Sequence, residues 1–138
     1  MLVHFPTGLY PFGVVTDIIG IATLDDRFFN ASVYALFAAV GMSVPAMLYG
    51  LIDFLKIETT SKAWKKADLH ALLNLLWFMI FCTLLFYRTK HLSVGVSYVI
   101  IMAITIVGMF YSNFLGADLI ISHRIGIDTD EDQKEKGT

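Results

Sequence analysis

The 26 residues from Leu92 to Ala117 include no Lys, Arg, Asp, Glu or His. About 20 apolar residues are enough for a helix to cross the hydrocarbon core of a bilayer. Lipid offers no partner for unpaired backbone groups, so a run of this length must fold as a helix to satisfy them. It therefore predicts a transmembrane helix at the C-terminal end of an integral membrane protein.

Three shorter apolar segments precede this run. Hydrophobic residues make up 57% of the 138 residues and charged residues 16%, with a mean hydropathy of +0.68, which exceeds what soluble domains usually carry. The prediction is an all-α fold, an integral membrane four-helix up-and-down bundle. Its helices are expected at about 6–23, 30–55, 69–87 and 93–122, in one domain over 1–127 with a charged C-terminal tail over 128–138.

Polar residues near the segment ends predict local features. Asn30 or Ser32 is expected to cap the second helix, and the stretch Lys56–Asp68 to form a polar loop. Asp17 lies inside the first segment, where it could be a buried hydrogen-bonding group or a proton-relay carboxylate, but we expect it to reach water near the interface. Asn113 is expected to donate a hydrogen bond between helices.

A net charge of −2 without a basic stripe argues against nucleic-acid binding.

The distribution of Lys and Arg predicts the orientation in the membrane. With four spans, the positive-inside rule predicts that both termini are in the cytoplasm. The cytoplasmic side would hold Lys56, Lys62, Lys65, Lys66, Arg124, Lys134 and Lys136, and the opposite side Arg27, Arg88 and Lys90.

Three histidines and a carboxylate come from four different segments but lie near one membrane face: His4, Asp53, His70 and His123. Two imidazoles at that level suit the axial positions of a haem iron, and the whole set suits a transition metal such as Fe or Zn. Four more residues could orient an imidazole or pair with a haem propionate, namely Asn74, Arg124, Tyr49 and Asp118. The alternative is that these histidines only form hydrogen bonds at the interface, as polar residues often do at helix ends.

Five motifs occur in a recognisable order: VHFP at Val3–Pro6, the aspartate Asp17, GLID at Gly50–Asp53, LHALLN at Leu69–Asn74 and GADLIISHRIGI at Gly116–Ile127. Together they resemble the bacterial domain-of-unknown-function family 2231, small four-helix membrane proteins. The resemblance covers nearly the whole chain. It differs in the last motif, where the family typically has Arg-His-Gly and this chain has Ser-His-Arg at 122–124.

The resemblance implies redox work in the membrane, because relatives are fused to cytochrome c-like or Rieske-like domains. The first functional hypothesis is therefore a haem b-binding, cytochrome b-like electron-transfer protein or redox-complex subunit rather than a stand-alone enzyme. A non-haem metal site at His4, Asp53, His70 and His123 is the second hypothesis. A cofactor-free structural or interaction subunit is the third. The expected partners are the lipid bilayer and either redox proteins or further copies of the chain.

Overall fold

The computed structural model describes residues 4–123 as four α-helices. They are α1 (His4–Thr23), α2 (Asp26–Phe54), α3 (Lys62–Lys90) and α4 (Val96–His123). All four are long and apolar enough to cross a membrane. The predicted all-α membrane bundle is confirmed, and the tail from residue 124 lies outside the described residues.

The second helix begins earlier than the hydropathy pattern predicts. The carboxylate of Asp25 accepts a hydrogen bond from the backbone N–H of Arg27 at 2.9 Å, so Asp25 is the N-cap. The expectation that Asn30 or Ser32 caps this helix is wrong. Asn30 lies inside the helix, where its Nδ2 donates to the carbonyl of Asp26 at 2.9 Å.

The third helix also begins earlier, inside the stretch expected to be a loop. The hydroxyl of Ser61 caps it by accepting from the backbone N–H of Trp64 at 3.2 Å. Ala63 and Ala67 in its first turns are buried with Leu119 of α4 in a small cluster of their own. A polar composition stops a segment from lying in hydrocarbon, but it does not stop helix formation.

The helices form a four-cornered bundle in which chain neighbours are also spatial neighbours. α1 packs beside α2 and α4, and α3 packs beside the same two helices, so α1 and α3 face each other across the diagonal. The diagonal is filled near its middle by the rings of Tyr10 and Phe81, which stack with centroids 3.6 Å apart.

Inward-facing residues on every helix follow alternating steps of three and four, the spacing of left-handed bundles. On α1 and α2 they are Pro6, Tyr10, Gly13, Asp17 and Gly20, then Phe29, Ser32, Leu36, Ala39 and Ser43. On α3 and α4 they are His70, Asn74, Trp77, Phe81, Leu84 and Arg88, then Tyr98, Met102, Thr105, Met109, Ser112, Gly116 and Leu119. The seam is apolar in the middle and polar toward both ends.

The second half of α2 packs less tightly than the rest of the bundle. None of its residues from Val40 to Phe54 is buried. Pro45 lies in this half and removes one backbone hydrogen bond of the helix. The bundle is therefore more open at the end where α1 begins and α2 ends.

Candidate ligand site

His70 is half-buried on α3, and both its ring nitrogens have partners. Nδ1 lies 2.7 Å from the backbone carbonyl oxygen of Ser112 on α4. Because a carbonyl only accepts, Nδ1 must carry the ring proton and Nε2 the lone pair. Asn74, one turn further along α3, donates from Nδ2 to Nε2 at 2.9 Å. The network therefore assigns a neutral imidazole with a defined tautomer.

The network closes on itself through the Ser112 side chain, whose Oγ donates to Oδ1 of Asn74 at 2.8 Å. Gly116 makes the close approach of the helices possible. A Cβ atom at that position would lie 2.7 Å from Cε1 of His70. Only glycine lets α4 pass this close to the ring.

This arrangement is suited to ligation through Nε2. A histidine that binds a metal usually donates its other ring N–H to a carbonyl or carboxylate, which fixes the tautomer and raises the basicity of the ligating nitrogen. His70 has that bond already, and the side-chain amide of Asn74 alone holds Nε2. His70 could therefore hold a metal ion through Nε2 if the Asn74 amide turned away.

His4 lies at the same end of the bundle. Thr7, one turn after His4, accepts a hydrogen bond at 3.3 Å from Nδ2 of Asn113. Asn113 directly follows Ser112, so the first turns of α1 lie near the level of His70. The bond also confirms the prediction that Asn113 donates between helices. His4 is exposed, and its side chain has no hydrogen bond or ion pair within the described part of the chain.

The two carboxylates that the sequence indicates as site residues at this end, Asp53 and Asp118, pair with lysines. Asp53 is 3.0 Å from Nζ of Lys56, one turn further along the chain. Asp118 forms an ion pair with Lys66 of α3 and accepts from the hydroxyl of Ser122 at 2.8 Å. The Asp118 pair joins α3 to α4 one turn beyond His70.

Tyr49 faces away from this network. Its side chain is 62% exposed and lines an open apolar groove with Pro45, Leu48 and Ile52 on the outer face of α2. The side chain of His123 and all of Arg124 lie outside the described residues. Within the described residues, no three His, Cys, Asp or Glu side chains are grouped as a metal site.

Described residues of four of the five motifs lie at one end of the bundle: His4 and Pro6 begin α1, Asp53 lies near the end of α2, and Gly116 lies against His70, whereas Asp17 lies toward the opposite end. A family model described as predicted membrane protein (DUF2231) matches residues 1–129. The chain belongs to this DUF2231 family. Searches of curated proteins and of solved structures found no match.

This DUF2231 chain has a second polar centre at the opposite end of the bundle. Arg88 of α3 donates from Nη2 to Oδ1 of Asp17 at 2.9 Å and to the carbonyl of Phe29 at 2.7 Å. Its Nη1 donates to the carbonyl of Leu92. The guanidinium also lies over the ring of Tyr98, 5.8 Å from the ring centroid. One side chain thus contacts α1, α2, α4 and the loop before α4.

Sequence reasoning missed this centre. The expectations that Arg88 lies in a loop and that Asp17 reaches water are wrong, because the two side chains are 0% and 1% exposed. The alternative that Asp17 is a buried hydrogen-bonding group is confirmed. The spacing explains the pair only once the register of α1 against α3 is known. Asp17 follows Tyr10 by seven residues and Arg88 follows Phe81 by seven, so a stack at one level places an ion pair two turns away.

Proposed function

We propose that this protein is a membrane-embedded haem b-binding electron-transfer protein or a subunit of a redox complex. His70 would hold the haem iron together with His4 or His123. The observation that supports the proposal is the hydrogen bond from Nδ1 of His70 to the Ser112 carbonyl, because it makes Nε2 the nitrogen that could bind iron. Bound haem would supply one-electron redox chemistry.

The surrounding residues would orient the ligand and tune its environment. The Ser112 carbonyl fixes the imidazole plane, and Gly116 lets α4 approach it. Asn74 would turn from Nε2 and remain as a hydrogen-bond donor beside the site. Lys66, which pairs with Asp118 in this structure, and Arg124, which lies outside the described residues, would be cations of the kind that pair with haem propionates.

The test is the visible absorption spectrum of the full chain purified in detergent from haem-replete bacterial cells. We expect a Soret band and split α and β bands on reduction, lost in His70→Ala. His91→Ala is the matched control, because His91 is exposed and caps the C-terminal end of α3, at the end of the bundle opposite His70. A colourless wild-type protein, or a His70→Ala variant with an unchanged spectrum, would contradict the proposal.

A second candidate is a cofactor-free subunit that acts through protein contacts. The closed network of His70, Asn74 and Ser112 favours it, because both ring nitrogens are satisfied by protein groups alone. His70→Ala would then reduce stability without removing any visible absorption. Elemental analysis of the same preparation for Fe and Zn separates both candidates from a non-haem metal site.

We further propose that the protein lies in the bacterial inner membrane with both termini in the cytoplasm. Arg88 lies buried inside α3 and not in a loop, so it is not one of the exposed cations that the rule counts. Among the described residues, Arg27 and Lys90 then remain on the side opposite Lys56, Lys62, Lys65 and Lys66. This larger asymmetry supports the orientation under the positive-inside rule.

A further inference from the structure

The glycine of the GLID motif lies on the face of α2 that points toward the bundle. Its nearest neighbours on the helix surface are the residues three and four positions away, Ala46, Met47, Asp53 and Phe54. All four are half-buried. Gly50 is at the centre of this face and yet is exposed, and nothing lies within 4 Å of the position a Cβ atom would take. A gap therefore separates α2 from its neighbours at Gly50.

This gap is close to His70 along the bundle axis. The rings of Phe54 and Trp64 lie 6.2 Å apart, which sets the level of antiparallel α2 against α3. Gly50 lies four residues before Phe54. Because the helices are antiparallel, it lies at about the level of residue 68, which is four residues after Trp64. Residue 68 is about 3 Å along the axis from His70. Gly116 lies at the same level on α4, against the imidazole.

We propose that Gly50 and its four half-buried neighbours form one wall of a slot that receives the flat ring of a haem ligated by His70. This inference rests on the function proposed above. A porphyrin is broad, flat and largely apolar, so it needs a gap between helices wider than side-chain packing leaves. Gly50 has no side chain to fill that gap, and α2 is loosely packed along this whole half.

The slot is tested by filling it. In Gly50→Leu and Gly50→Phe, the new side chain would fill the proposed slot at the level of His70, and we expect the haem-to-protein ratio after purification to fall at least about tenfold. Gly41→Phe is the matched control. Gly41 is on the same helix and also has nothing within 4 Å of its Cβ position. It is nine residues from Gly50, which is two and a half helical turns, and therefore lies on the opposite, outward face of α2.

Circular dichroism and size-exclusion chromatography report whether each variant is folded. Gly50→Ala is included because one methyl group fits open space and improves helix propensity. Wild-type haem content in Gly50→Phe, or equal loss in Gly41→Phe, would overturn the slot while leaving haem binding established. A wild-type protein without haem would overturn the proposed function and the slot together.

Discussion

At the scale of single residues, two features define the His70 network: α4 approaches the imidazole closely at Gly116, and the imidazole has one tautomer. Nδ1–H donates to one helix, and Nε2 accepts from the helix that bears the ring. The sequence indicates that His70 and Asn74 share a face, because they are one turn apart. It does not indicate Ser112, a residue type common in apolar helices, as the third member.

Gly116→Ala should disturb this network. The added Cβ would lie 2.7 Å from Cε1 and 2.9 Å from Nε2 of His70, so the ring or α4 must move. We expect the free energy of unfolding to fall by about 1–3 kcal/mol. Reversible unfolding in mixed detergent micelles, followed by circular dichroism, measures it.

The control for this prediction is Gly41→Ala, which adds a methyl group where nothing lies within 4 Å. It should leave stability unchanged or raise it by up to about 1 kcal/mol through helix propensity. Equal destabilisation by both substitutions would show that the contact with His70 is not the cause.

At the scale of elements, hydropathy predicts the membrane-spanning parts of the helices and the caps determine where the helices begin. Asp25 and Ser61 lie before the apolar segments, so a search for hydrophobic runs places the helix starts too late. A capping residue needs only a free side-chain oxygen and an extended backbone, and several residues in each connection meet the first condition.

The Asp25 cap predicts a pH dependence of stability. Hydrogen bonds from the Arg27 side chain, followed by that from its backbone N–H, hold the pKa of the Asp25 carboxyl below its ordinary value. A carboxyl group whose pKa is lower in the folded than in the unfolded protein stabilises the fold at pH values above its unfolded pKa of about 3.9. That contribution is lost as the pH falls through the lower folded value. Thermal midpoints measured from about pH 6 to about pH 3 should therefore fall less in Asp25→Asn than in the wild type.

Asp26→Asn removes the same charge from the next residue, whose side chain forms no hydrogen bond within the described residues. This variant should keep the part of the pH dependence that comes from the hydrogen bonds of Asp25. A wild-type profile in Asp25→Asn would mean that the cap does not contribute to the acid-sensitive stability of α2.

At the scale of the whole molecule, Arg88 joins all four corners of the bundle. Breaking a buried ion pair by removing one partner is strongly destabilising, because a charge remains buried without compensation. Arg88→Gln leaves Asp17 in this state and removes donors from the carbonyls of Phe29 and Leu92. We expect a loss of about 3–5 kcal/mol in unfolding free energy.

The control is Lys90→Gln, which removes an exposed cation two residues away and should change stability by no more than about 0.5 kcal/mol. The double variant Asp17→Asn/Arg88→Gln should be more stable than Arg88→Gln, since neither charge is left unpaired. A double variant less stable than the single variant would show that Asp17 is not the partner that matters.

The proposed orientation also belongs to the whole molecule. With Cys82 replaced by Ala, single cysteines at Thr60 and Ser93 report on connections at opposite ends of the bundle. A membrane-impermeant maleimide added to intact spheroplasts should label Ser93→Cys, and it should label Thr60→Cys only after lysis. Labelling in the reverse pattern would invert the orientation.

The four spans, the bundle class and the end at which His4, Asp53 and His70 lie could be predicted from the sequence. Hydropathy and segment length depend on each residue's own chemistry and not on its neighbours in space. Folding is needed to show that Arg88 crosses the diagonal to Asp17, that Ser112 fixes the tautomer of His70, and that a gap remains at Gly50. Each depends on the rotation and axial offset of one helix against another, where a shift of a few ångströms exchanges one partner for the next.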